Sequence, residues 1–136
     1  MAYAAESAIN QAVEAVIALA NTLHLYATVT RGSLPTGDGI VCEIGPSRVL
    51  ETYMDKGKYI PVDLTFNAKH ANSGIASDAL NAVHRALTMA RAYPSGADWE
   101  IVDISTETIP QMVGREQNNE WLFASALAVK IHLKGD

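Results

Sequence analysis

The sequence predicts an α+β sandwich, a largely antiparallel sheet with two helices packed on one face, in the order α-β-β-β-β-α-β-β. Three observations carry that reading. Two segments repeat their apolar residues every three or four positions, several others switch to a period of two, and 49% of the 136 residues are apolar, which suits one core and one domain spanning residues 1–136.

The first helix covers Ala4 to His24, where Ile9, Val13, Val16, Ile17, Ala20 and Leu23 form one apolar face and neither Gly nor Pro interrupts. Leu25 to Thr30 changes to β-branched residues at a period of two, and the breakers of Arg31 to Gly39 predict a loop. Short strands follow at Ile40 to Ile44, closed by Gly45-Pro46, and at Val49 to Met54, closed by the turn Asp55 to Lys58. From Tyr59 to Lys69 the residues Ile60, Val62, Leu64, Phe66 and Ala68 alternate with polar or small ones, so one face is core. Pro61 has no N–H and belongs at the strand's start, at an edge or against a bulge.

Asn72 or Ser73 can cap a second amphipathic helix, carried by Ala76, Leu80, Val83, Leu87 and Ala90 and ending near Tyr93-Pro94. Trp99 to Ile109 reads as strand, Pro110 opens a long polar loop, and Trp121 to Lys134 forms the last strand. The first half of that strand, Trp121 to Ala128, is apolar on both faces, which predicts cover from both sides by a helix, a sheet or another subunit.

Charge and motif spacing narrow the function classes. Ten Lys and Arg against 15 Asp and Glu give a net charge of −5, with no basic run, which argues against a general nucleic-acid binder or an anionic-membrane binder. No segment is apolar over the roughly 18 residues of a membrane span, and the N-terminus lacks the basic region of a secretory signal, so a cytosolic product is expected. Cys42 stands alone and reads as a small core hydrophobe rather than part of a disulfide framework or zinc site.

The histidines His24, His70, His84 and His132 show no metal-ligand spacing. Gly32, Gly37 and Gly39 match no phosphate-binding loop, and a strand follows them where a helix N-terminus is required. Asp63 with Asp103 or Glu107 offers a carboxylate pair across the sheet, although acidic residues on a polar strand face are ordinarily just solvated. Tyr53, Tyr59, Trp99 and Trp121 are too dispersed for a base-stacking platform and suit a core rim or a subunit interface. No catalytic constellation and no cofactor motif emerges, and an enzyme is not expected.

Three stretches nevertheless form a pattern: Glu51 to Phe66, the helix after it, and Ile109 to Val129. They resemble the small minor capsid proteins of long-tailed bacteriophages, which are similar to tail terminators such as that of phage lambda. The carrying features are the turn Tyr53-Met54-Asp55-Lys56-Gly57 ahead of an apolar strand, and Pro110, Gly114 and Trp121 leading into the last strand. The turn departs from the family's Asp-Gly by one intervening residue.

The resemblance implies a virion component at the proximal end of the tail, assembled in the host cytoplasm as a hexameric ring. Such a ring would cap the tail tube, stop polymerisation of the major tail tube protein and present a surface to the head–tail connector or neck protein. DNA would pass through its channel without specific binding, and a six-fold ring would carry about −30 in total. Glu14, Asp63 and Asp103 are candidates for the channel wall.

A head-completion or neck protein is the nearest alternative; a small oligomeric α+β enzyme or ligand-binding domain is the alternative from another class. The polar loops Arg31 to Gly39, Asp55 to Lys58 and Arg115 to Glu120 are the expected docking elements, with Arg31, Asp38, Asp55, Lys56, Lys58, Arg115, Glu116 and Trp121 as interface candidates.

Overall fold

The computed structural model describes residues 2–32, 34, 37–45, 59–97, 99–115 and 119–133. The elements run α1 (Ala2–Asn21), β1 (Val29–Arg31), β2 (Gly39–Ile44), β3 (Tyr59–His70), α2 (Ser73–Thr88), β4 (Trp99–Arg115) and β5 (Trp121–Leu133). The expected strand Val49–Met54 and the turn Asp55–Lys58 lie outside the described residues. The five strands form one sheet in the order β1-β2-β3-β5-β4, antiparallel except for β1 against β2. The class is α+β, as the periodicities imply, with both helices on one face.

Alternation decides which face that is. Ile60, Val62, Leu64, Phe66 and Ala68 of β3 and Phe123, Leu127, Val129 and Ile131 of β5 are all buried, and they meet the helix residues Val13, Val16, Ala20, Leu80, Val83 and Leu87. Each helix contributes an apolar stripe at three- and four-residue steps, so their burial and that of the sheet are one event. Asn72 caps α2 as its position suggests, its Oδ1 accepting from the N–H groups of Gly74 (2.9 Å) and Ile75 (3.2 Å).

Four elements differ from expectation. First, α1 ends at Asn21, and β1 is confined to Val29–Arg31 rather than beginning at Leu25. His24 takes φ 56°, which turns the chain, and the Asn21 side chain then pairs with Val29 as a strand would, donating to its C=O (3.1 Å) and accepting from its N–H (2.7 Å). Second, α2 stops at Thr88, short of Tyr93-Pro94.

Third, β4 runs through Pro110 to Arg115, where a loop was expected. The register jumps from Thr108↔Ala126 to Gln111↔Ala124, so Ile109 and Pro110 stand against Ser125 alone, in a bulge on an edge strand where a missing N–H is tolerated. Fourth, neither a helix nor a second sheet covers the other side of β5 among the described residues, which leaves another subunit of the three expected kinds of cover. Its Leu122, Ala124, Ala126 and Ala128 are half-buried on the face away from the helices.

Pro61 behaves as required. It pairs with Lys130 of β5, while on its other side β2 ends at Ile44, opposite Leu64.

Candidate functional site

At one end of the sheet the strand register places His70 of β3, Trp121 of β5 and Arg115 of β4 in a row. Three loops end there: the one following α1, the one entering β2 and the one joining β4 to β5. Tyr26, just past α1, puts its hydroxyl 3.0 Å from the Gly39 carbonyl and 2.9 Å from the Lys69 carbonyl, tying the start of β2 to the end of β3. Burial, with smaller contributions from Asp38 and Glu120, outweighs the hydrogen bond to Lys69 and pushes this phenol up to about 12. It stays neutral at ordinary pH.

The Tyr26 ring meets His70 edge-on, with centroids 4.8 Å apart. His70 Nδ1 accepts from the Asn72 N–H at 2.9 Å, which leaves the proton of the neutral ring on Nε2, 3.3 Å from Asp38 Oδ2. Next to it in sequence, Lys69 Nζ lies 4.0 Å from Glu120 Oε1, both side chains less than a tenth exposed. Arg115 donates to Asn119 Oδ1 (2.8 Å), and its guanidinium carbon sits 5.0 Å from the Trp121 ring centroid. Asn119 holds φ 67°, a left-handed conformation that Asn adopts more readily than most residues.

The fold therefore gathers Asp38, Arg115 and Trp121 at one end, as neighbours of residues that are not among the interface candidates: Tyr26, Lys69, His70 and Glu120. Arg31 is elsewhere. On the edge strand β1 it faces α1, 3.3 Å from Glu14 Oε2 and 3.0 Å from Asn10 Oδ1, with Glu43 Oε1 at 3.9 Å. Asp55, Lys56, Lys58 and Glu116 lie outside the described residues.

The opposite end of the sheet carries a second cluster. Tyr59 packs on His132 (centroids 4.8 Å, planes 31° apart), His132 Nδ1 is 2.9 Å from Glu100 Oε2, and Lys130 Nζ lies 5.1 Å from the Tyr59 ring centroid. Beside them Tyr59, Pro61, Asp103, Ser105, Ala128 and Lys130 line an open depression of about 240 Å³.

These groups hold one another in place. Both ring nitrogens of His70 are engaged, Tyr26 is held neutral, and Cys42 is buried with its thiol pushed up to about 12 by loss of solvent, so it is no nucleophile. Asp63 and Asp103 share the open sheet face, but β5 runs between their strands and they stand opposite Ala128 and Lys130, two residues apart along it, which sets them about 12 Å apart at the usual strand spacings, too far to share a proton. Among the described residues no cluster of three or more His, Cys, Asp or Glu is arranged to hold a metal ion, and no helix is long and apolar enough to cross a membrane.

No protein-family model and no curated protein matches this sequence. Among solved structures, a chain from one titled "Virion of native gene transfer agent (GTA) particle" is similar in fold, with a TM-score of 0.57 at 19% sequence identity. The match covers 95% of this chain and 93% of that one, so the likeness extends to the whole architecture.

Proposed function

We propose that this chain is a structural subunit of a phage-like virion and not an enzyme, and that it acts as a tail terminator. In this reading it forms a hexameric ring that caps the tail tube, halts polymerisation of the tube protein and offers its far side to the connector or neck. The carrying observation is the end-to-end fold likeness to a chain of a virion particle, whose title names that particle and nothing more. The sequence resemblance to minor capsid proteins and tail terminators supports the finer assignment.

The geometry suits such a subunit. Its two sheet ends each carry a braced polar and aromatic cluster, one with Asp38, Arg115 and Trp121, the other with Tyr59, Lys130 and His132. Rigid ends are what docking against two different neighbours along one axis requires, because little entropy remains to be lost on contact. The open sheet face with Asp63 and Asp103 suits a channel wall that lets DNA pass, since acidic groups do not retain phosphate.

Deletion of the gene tests this reading. A terminator's loss gives tails of uncontrolled length that do not join heads. Tails of normal length beside heads that leak DNA would instead establish the head-completion reading. Docking by the loop end is tested separately with Asp38→Ala and Arg115→Ala in one chain, which is expected to lower infectious or transducing yield at least tenfold with the fold intact.

A further inference from the structure

β4 is an edge strand, and within five residues it exposes three large apolar side chains: Ile109 (70%), Met112 (52%) and Val113 (56%). Scattered surface apolar residues are ordinary, but a run along a sheet edge that no strand covers among the described residues marks a contact surface. From Thr108 to Gly114 the chain is also uncharged, between Glu107 and Arg115. We propose that this segment is where one copy of the chain meets a second copy, an inference that rests on the ring reading above and names its lateral interface.

Charge argues for a second copy as the occupant. Each chain carries −5, so copies repel wherever their charged surfaces meet and approach most readily through an uncharged stretch. The same neutrality gives a basic protein or a nucleic acid nothing to hold.

The strand's irregularity sets the symmetry. Twofold pairing of two β4 edges, antiparallel about Gln111, would set each Pro110, which has no N–H, opposite Met112 of the other copy. It would also run the new ladder through the register shifts at Thr108/Gln111 and Met112/Gly114. A regular two-strand ladder does not form there. On the ring reading the contact is made by side chains against a different surface of the next copy, the head-to-tail arrangement that a closed ring requires.

Analytical ultracentrifugation of the full chain over a concentration series tests this, with Met112→Lys/Val113→Lys, the milder Ile109→Thr, and Met89→Lys as a control. Met89 is 71% exposed at the C-cap of α2, outside the β4 segment. The wild type and Met89→Lys are expected to form species larger than a dimer. The two β4 variants should need at least tenfold more protein to do so, with unchanged circular dichroism and melting. If Ile109→Thr and the double variant associate as the wild type does, the ring is built through another surface, and the gene-deletion phenotype still stands or falls independently. A wild type that stays monomeric, or stops at a dimer, also overturns the proposal.

Discussion

Lys69 Nζ and Glu120 Oε1 lie 4.0 Å apart with both side chains almost fully buried, and the pair ties the end of β3 to the residue that precedes β5. Two charges out of water are costly unless each neutralises the other. Glu120→Ala removes this carboxylate from the buried Lys69 ammonium and is expected to lower unfolding free energy by about 3 kcal/mol. Urea denaturation measures it. The double variant Lys69→Met/Glu120→Leu, which removes both charges, should recover most of that loss.

His84 gives the protein an acid-sensitive point. Its Nδ1 is 3.0 Å from Thr106 Oγ1, and its buried Nε2 has no hydrogen-bond partner among the described residues. Burial holds this imidazole below its ordinary value of about 6.5. The unfolded chain therefore binds the proton more readily. The stabilisation is complete above about pH 6.5 and is lost as pH falls below it towards the folded-state value. Unfolding free energy measured from pH 8 to pH 5 should fall more steeply for the wild type than for His84→Leu.

A methyl group at Gly96 would collide with Nε1 of the buried Trp99, whose indole N–H donates to Gln11 Oε1 at 2.8 Å. Gly96→Ala must displace the indole and break its tether to α1, at a cost of about 1–3 kcal/mol. Thermal denaturation registers the loss. A red shift in tryptophan emission should accompany it, with Trp121→Phe as the background that isolates Trp99.

Cys42 is fully buried and its thiol is held up at about 12, so the thiolate that reacts with disulfide reagents is scarce and shielded. In native buffer the protein should take up no Ellman's reagent over an hour. In denaturing urea it should take up one equivalent at once.

What the sequence determined by itself is the part of the fold that local periodicity encodes. The alternation from Ile60 to Ala68 decides which face of β3 is core, because side chains on a strand point to opposite sides in turn. Asn72 marks the start of α2, because its short side chain reaches N–H groups two and three residues on. Apolar residues at helical spacing nominated most of the two helix faces that bury that sheet.

Tertiary structure decided the rest, where the answer depends on residues far away in the chain. Pro110 reads as a loop opener, yet it sits inside β4, because that strand lies at an edge and bulges there. Asp38 is one polar loop residue among several until β3 brings His70 to it, 32 positions later. Tyr26 carries no motif, and its role exists only because the Gly39 and Lys69 carbonyls end up side by side. A hydrogen bond or ion pair across such separations leaves no periodic trace, since one residue of each type in the right place suffices, and only the register of the strands says which place that is.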